Sequence, residues 1–435
     1  MSNQTISYEE RKRILRSISA SIQHNFSRPQ NVGILAMDCY IPPYTVKQSE
    51  YEVYKQCEGK YTKGLGQERI AFCGDNEDAV SMAMTCLTRM MKKYNIRYQD
   101  IGRLEVGTES MPDRSKSIKT YLMSLFEKEG NTNIEGVDVY TACYGGTAAL
   151  LNSISWIESS AWDGRYALVI ACDIAELQET FRFMNGSACI CMLIGPNAPL
   201  SIESTRYSYM NSTWDFYKPV GWHEAAPVFN GPISVDCYQN AITSCIRGFK
   251  AKQSQQGIQD LLLNQFDYFI FHCTSVYLIK RGFNLLCKEE QSTLNLKEKQ
   301  QMFTKKVEPS TLACKQIGSG YTAAVYVNLL SLLSSEQSNL IGKKILMYSY
   351  GSGCSSTMYS IKVNSLPLFT NILSYLDTNH IDITVPEFNT LCSLHEKQYG
   401  QFPFYPQFNG PKIANTFYLD HIDEEGKRYY EEYQK

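Results

Sequence analysis

Apolar positions recur along the chain in two rhythms, and the rhythms alternate. "VGILAMDCYIP", from Val32, is a nearly continuous apolar run of strand length, stopped by Pro42 and Pro43. The spacing over residues 76–94 predicts a helix, and "RLEVGTES" reads as a short strand ending in Glu109. A further helix is expected around residues 115–129. Val137, Val139 and Thr141 then alternate with other residues as a strand does, and residues 148–156 carry a helical apolar stripe. Strands are expected at 166–171 and 188–195. A second series begins with a helix near Ile233 and the strand "FDYFIFHC". It continues with a helix over 321–333 and the strands "KILMYSYGSG" and "MYSIKV". Strands alternating with helices, twice over, predict a layered α/β fold with mixed sheets. Polar stretches near 253–257 and around Asn339 and Gly342 mark loops, and the Tyr-rich tail from Gly410 reads as a last strand and a solvated end.

Composition narrows the class. Hydrophobic residues make up 43% and charged residues 20% of 435, as in ordinary globular proteins. A formal net charge of −2 offers no global field for nucleic acid or an acidic membrane. No apolar run approaches the roughly 18–20 residues of a membrane span; the longest, 166–175, is interrupted by Asp173. Fifteen cysteines are spread through apolar segments, and with no secretory signal they read as reduced, mostly buried thiols of an intracellular protein. Cys189 and Cys191 lack a second ligand pair, so no metal is expected. Residues 11–30 are rich in Arg and Ser, with Ile14, Ile18 and Ile22 four apart as in an import helix, but Glu9 and Glu10 argue against that reading. A cytoplasmic location is expected, with mitochondria as the alternative.

Three strand ends carry chemistry. Cys143 stands between an alternating run and Gly145-Gly146, where a helix start would favour a thiolate and the glycines would let backbone donors approach its cargo. His272 closes "FDYFIFH", and Glu109 lies at a strand–loop junction. Cys354 also follows a strand, but its glycines precede it, so "GSG" reads as a ligand wall. Cys273 should point away from its neighbour His272. "GLGQ" and "GSGYT" lack the third glycine of a dinucleotide fingerprint, and no Gly-x-Ser-x-Gly elbow is present. The residues themselves leave a cysteine protease and an acyl transferase open.

"ACYGGTAAL…WIESSAWDGRYALVIACDIA" closely resembles the nucleophile segment of eukaryotic hydroxymethylglutaryl-CoA synthases, in the thiolase superfamily. The likeness extends, in order, through "GKYTKGLGQERIAFC", "IGRLEVGTESMPDRSKSIKTYLM", "LIGPNAPL", "WDFYKP", "IFHC" and "SYGSG". It implies a thiolase-like fold, two similar halves in an α-β-α-β-α arrangement, here residues 32–205 and 206–435 after an N-terminal extension at 1–31, and usually a homodimer. It implies condensation of acetyl-CoA with acetoacetyl-CoA and water to hydroxymethylglutaryl-CoA, on the mevalonate route to isoprenoids and sterols, with no cofactor beyond the CoA thioester substrates. By motif, Cys143 takes the acetyl group, Glu109 is the general base and His272 contacts the second substrate. Asp173 and Asp215 match supporting positions. Lys60, Ser234, Arg281 and Ser352 match positions that meet substrate or CoA, Arg281 replacing the usual lysine.

Several binding positions depart from the family pattern. "GNARPTGG" is here "ETFRFMNG", which puts Thr180 and Met184 where the family has Asn and Thr. Ser319 replaces the Asn of "GNxYT". Tyr277 replaces a lysine that meets CoA phosphate, a loss Lys280 would offset from the next helical turn, and Cys57-Glu58 puts a carboxylate where it would repel phosphate. Two readings follow: a working synthase with compensated loops, or a diverged paralogue that acts on another acyl-CoA or only binds one. A carboxylate kept at Glu109 in a dry pocket favours an enzyme.

Overall fold

The computed structural model describes residues 28–219 and 227–434. The expected N-terminal extension, with its import-helix alternative, therefore lies almost entirely outside the described residues.

Nine strands form one sheet path: β1 (Gly33–Tyr40), β2 (Ile101–Gly107), β3 (Asp138–Val139), β4 (Tyr166–Ala175), β5 (Gly186–Gly195), β6 (Leu200–Met210), β7 (Tyr268–Phe271), β8 (Lys344–Gly351) and β9 (Ser355–Val363). Their order is β7-β8-β9-β6-β1-β5-β4-β2-β3, with Leu368–Phe369 added beside β1. β2 runs parallel to β4 and to β3, as β7 does to β8, while β4–β5 and β8–β9 are antiparallel. The sheets are thus mixed, as expected. The two sets of strands meet where β1 and β6 pair only at Gly33–Ser201 and Ile34–Leu200.

The helices that matter for the site are α1 (Ala79–Lys93), α2 (Gly145–Ile157), α3 (Gly231–Gln255), α4 (Val276–Glu289), α5 (Ala324–Glu336) and α6 (Val385–Gln398). Strand β4 shows why they layer. Its Leu168, Ile170 and Cys172 pack with Val80 and Leu87 of α1, while Ala167, Val169 and Ala171 pack with Leu150 of α2 and Leu329 of α5. A strand buried on both faces reads as a near-continuous apolar run, and β4 and β5 are such runs, broken only at Asp173 and Ser187. Ile345 and Met347 of β8 and Ile242 and Ile246 of α3 join the inner core, giving the thiolase-like order α1, sheet, α2 with α5, strands, α3 with α4. Each fully buried Leu or Ile contributes about 1.5–3 kcal/mol.

Three expectations change. The strand before Cys143 shrinks to Asp138–Val139, because it is the sheet edge and Val137 and Tyr140 are 57% and 59% exposed. The tail forms two strands, Thr416–Ile422 and Arg428–Tyr433, paired antiparallel. The Gly145-Gly146 pair serves packing: a Cβ on Gly107 would overlap the Gly146 nitrogen, and one on Gly146 would lie 2.9 Å from both Ala171 Cβ and Thr322 O. The glycines bring α2 against β2 and β4, so the cysteine stands where two backbones touch.

Gly107→Ala is expected to lower the unfolding free energy by about 1–3 kcal/mol through overpacking, read as a lower denaturant midpoint. An unchanged midpoint would show that α2 does not need this approach.

Candidate active site

Cys143 follows Ala142, whose φ of 46° is left-handed and unusual for a residue with a side chain. This hinge directs the chain into α2 and leaves Cys143 9% exposed, its Sγ 3.3 Å from Glu109 Oε1. Glu109 sits two residues past the end of β2, and His272 directly follows β7. Two strand ends and a hinge therefore converge, as in many α/β sites.

Cys143 and His272 share a cavity of about 340 Å³, lined largely by apolar side chains that include Leu177, Phe181, Met184 and Phe229. Ser234, Ser319, Tyr321 and Ser352 also reach it. Three of its buried polar atoms, His272 Nδ1, Ser319 Oγ and Tyr321 OH, have no hydrogen-bond partner among the described residues. Buried polar groups are normally paired, so three facing one cavity mark where a polar ligand belongs. Glu109 borders two further cavities, of about 570 and 600 Å³, that share Tyr140 and Lys218.

The supporting carboxylates are fully engaged. Asp173, at the end of β4, accepts from Thr108 Oγ1 (2.9 Å), Glu109 N (2.8 Å) and Ser110 Oγ (2.9 Å). Its other oxygen accepts from Thr322 N (3.0 Å) and Oγ1 (2.5 Å). Asp215 accepts from Thr213 Oγ1 (2.9 Å), Gly353 N (2.9 Å) and Tyr350 OH (3.1 Å), fixing the "GSG" loop. Two glycine amides near the sulfur and in the "GSG" loop are already engaged, Gly353 N by Asp215 and Gly145 N by Ala142 O, and so are not available to a bound acyl oxygen.

Cys143 is not a thiolate favoured by the helix start. Burial, and then the Glu109 carboxylate, push its thiol well above the usual range. Burial pulls His272 down to about 4, so its imidazole is neutral at pH 7 and donates from one nitrogen only. The rivals are excluded by position. Cys273 receives Asn328 Nδ2 at 3.4 Å on the core side, and Cys354 lies outside the Cys143 cavity, its thiol pushed by burial to about 12.

The remaining residues divide. Ser234, Ser319, Ser352 and Met184 line the cavity, and Tyr277 stands half-exposed among them. Lys60 and Glu58 are exposed on the loop that places Leu65 in the wall, while Thr180 is exposed and outside it. Arg281 donates to Tyr277 OH at 3.2 Å. The segment of Lys280 is helical, but its ammonium lies 5.7 Å from the Phe303 ring centre rather than in the cavity lining, so it does not take over the site of Tyr277. Lys218, inside "WDFYKP" but not singled out, lies 3.8 Å from Glu109 Oε2 and 5.3 Å from the Tyr321 ring centre. Among the described residues, no group of three or more His, Cys, Asp or Glu is arranged to hold a metal, and no helix is long and apolar enough to cross a membrane.

Two outcomes are expected. Glu109→Gln removes a charge that opposes the thiolate, so iodoacetamide should modify Cys143 faster at pH 8, followed by peptide mass spectrometry; a slower reaction would mean that Glu109 promotes ionisation in the resting protein. His272 protonates less readily folded than unfolded, so its contribution is complete above pH 6.5 and is lost as pH falls towards 4. Wild type should lose up to about 3 kcal/mol more than His272→Asn over that window. Parallel pH–stability curves would show that the imidazole titrates normally.

The family model for the N-terminal part of hydroxymethylglutaryl-coenzyme A synthase matches residues 28–199, and that for the C-terminal part matches 200–299 and 286–433. The chain is 38% identical to a hydroxymethylglutaryl-CoA synthase of Zymoseptoria tritici over 93% of its own length and 99% of the relative's. It is 39% identical to that of Aspergillus fumigatus, covering 93% and 96% of the two chains, and 36% identical to the human cytoplasmic one, covering 92% and 87%. The structure of MvaS in complex with 3-hydroxy-3-methylglutaryl coenzyme A aligns with TM-score 0.83 at 24% identity, over 94% of this chain and all of that one. An HMG-CoA synthase complexed with CoA aligns at 0.78 and 23%, over 92% and 100%. With both halves matched and its cysteine, carboxylate and histidine brought to one place, the chain belongs to the hydroxymethylglutaryl-CoA synthase family of acyl-CoA condensing enzymes.

Proposed function

We propose that this protein condenses acetyl-CoA with acetoacetyl-CoA and water, giving hydroxymethylglutaryl-CoA and CoA, through an acetyl group held on Cys143. The observation that carries this reading is the 3.3 Å contact of the Cys143 thiol with Glu109, beside a cavity shared with His272.

The thiol donates towards Glu109 Oε1, so the carboxylate is placed to take the proton as sulfur attacks the acetyl carbonyl and CoA leaves with a proton. Glu109 next removes a methyl proton of the acetyl group, and the resulting carbon nucleophile adds to the ketone of acetoacetyl-CoA. The ketone oxygen becomes an alkoxide and takes up the proton that Glu109 removed from the methyl group, which returns Glu109 to its ionised form. His272, neutral and with Nδ1 unpartnered, is suited to donate a hydrogen bond there from its single N–H. Water then cleaves the Cys143 thioester, releasing a carboxylate and restoring the thiol. The Lys218 ammonium favours an ionised Glu109, and Ser234 and Ser352, which line the cavity, are proposed to meet the acyl-CoA chain.

The changed positions are compatible with this chemistry. Ser319 still offers an unpartnered hydroxyl where the family has an amide, and Met184 fills the wall. Lys60 and Arg281 are proposed to meet CoA phosphates from outside the cavity. A homodimer is supported by the exposed Val137 and Tyr140 on the sheet edge beside β3. A cytoplasmic role on the mevalonate route to isoprenoids and sterols is supported by the human relative, named cytoplasmic.

Labelled acetyl-CoA should load Cys143, and an acetoacetyl-CoA chase should release the label as hydroxymethylglutaryl-CoA. Cys143→Ser should take up no label, and Glu109→Gln should load more slowly, lacking the group that takes the thiol proton, and condense at least ~100-fold more slowly. Loading without release in wild type would assign a different second substrate. No loading would leave a protein that only binds acyl-CoA.

A further inference from the structure

The wall of the acyl cavity is carried by a short segment, residues 176–185, that has little regular structure of its own. It contains one 3₁₀ helix, Glu179–Met184, and presents Leu177, Phe181 and Met184 to the cavity. Aligned apolar contacts alone would leave such a segment free to shift, since 3₁₀ geometry is weakly bonded. Its back is held by α6, which belongs to the other half of the chain.

Arg182 lies between the two aromatic residues Phe181 and Phe183 and is only 6% exposed. Its guanidinium pairs with Glu396 at 2.6 Å and also donates to Asn389 at 3.2 Å and Ser393 at 3.5 Å. All three partners lie on one face of α6, spaced four and three residues apart. Two further ties flank it. His395 Nδ1 lies 2.9 Å from Glu176 Oε2, and Asn185 donates to Cys392 Sγ at 3.6 Å. Asn185 also accepts from Leu177 N at 2.9 Å, closing the segment on itself. On the other side, Phe183 stacks on Tyr61 with ring centres 4.3 Å apart. A planar guanidinium that bonds three side chains fixes orientation as well as position, which a point charge does less well.

We infer that Arg182 is a positioning residue: by clamping residues 176–185 to α6 it fixes the Phe181–Met184 wall and so sets which 3-ketoacyl thioesters the cavity admits as second substrate. The substrate class rests on the function proposed above; the clamp does not. With the clamp released, the wall recedes and bulkier acyl chains gain relative to acetoacetyl.

The test compares kcat/KM for acetoacetyl-CoA and 3-oxohexanoyl-CoA, at saturating acetyl-CoA, in the full-length protein. Arg182→Met should raise KM for acetoacetyl-CoA, leave labelling of Cys143 by acetyl-CoA within about twofold, and cut the preference for the shorter substrate about tenfold, the scale of one or two methylenes in a fitted pocket. Arg182→Lys should recover part of the preference. Glu396→Gln, at a more exposed partner, should act in the same direction by about threefold. The double variant should fall short of the sum of its parts, because both changes cut one contact. A protein merely damaged in folding loses active molecules and keeps the ratio, so an unchanged ratio in Arg182→Met and Glu396→Gln overturns the inference. If wild type makes no product, the function proposed above fails while the clamp is read without turnover. Maleimides of increasing N-alkyl bulk then probe Cys143 by peptide mass spectrometry, and the rate difference between N-ethyl and N-cyclohexyl should shrink in both variants. An equal difference in wild type and variants overturns the clamp.

Discussion

One buried carboxylate holds the site together. Asp173 has no exposed surface and sits at the end of a strand enclosed on both faces, where an ion is costly. Burial accordingly pushes its carboxyl up, and the donors from Thr322 and Glu109 pull it back. Those donors come from both halves of the chain: Thr108, Glu109 and Ser110 follow β2, while Thr322 lies in the 3₁₀ turn that leads into α5. A hydrogen bond to a charged group contributes about 1.5–3 kcal/mol, so several donors offset a desolvation cost of several kcal/mol. The consequence is geometric. Glu109 is fixed through its own backbone nitrogen, at a position from which its carboxylate reaches Cys143.

Asp215 does the same on the opposite wall. It ties Thr213, the Gly353 amide and Tyr350 together, and Tyr350 lines the cavity directly. Neither aspartate needs to touch a substrate for the chemistry to depend on it. Each converts a loop that would otherwise be soft into a wall with a defined position, which is the condition for placing reacting atoms within attack distance. The α6 clamp on residues 176–185 belongs to the same design, with a cation in the central role instead of an anion.

How much of this was legible in the sequence depended on whether the signal was local. β4 and β5 are apolar runs broken only at Asp173 and Ser187, and the strand-ending positions of Glu109 and His272 followed from where the runs of β2 and β7 stop. Cys143 was visible because a hinge, a cysteine and two glycines stand together, but their reason was not. The glycines answer to Gly107 and Thr322, distant in sequence, so no local pattern reveals them. The edge strand at 137–141 was overread because alternation cannot report that one neighbour is missing. Lys218 was in plain view within a quoted motif, yet only the fold brings it beside Glu109. α6 begins at a Thr384–Glu387 capping box in the structure, and its role in holding the acyl wall depends on Arg182, two hundred residues earlier.

The resting state of Cys143 shows the same contest between local and tertiary effects, and magnitudes decide it. A helix N-terminus favours an anion by typically 0.3–1 kcal/mol, and about 2 at most. Full burial shifts an ionisable group by up to 3–5 pKa units, or about 4–7 kcal/mol, and here an adjacent carboxylate acts in the same direction. Burial wins, so the free protein holds a thiol hydrogen-bonded to a carboxylate, not a thiolate. That arrangement protects the sulfur from oxidants and alkylating agents, which need the anion. In the proposed reaction the nucleophile is therefore made only when something else changes, namely when an acyl thioester enters and sulfur attacks as Glu109 takes its proton. The low reactivity predicted for the resting cysteine and the base function proposed for Glu109 are thus two consequences of one short contact, beside a backbone that Asp173 holds in place.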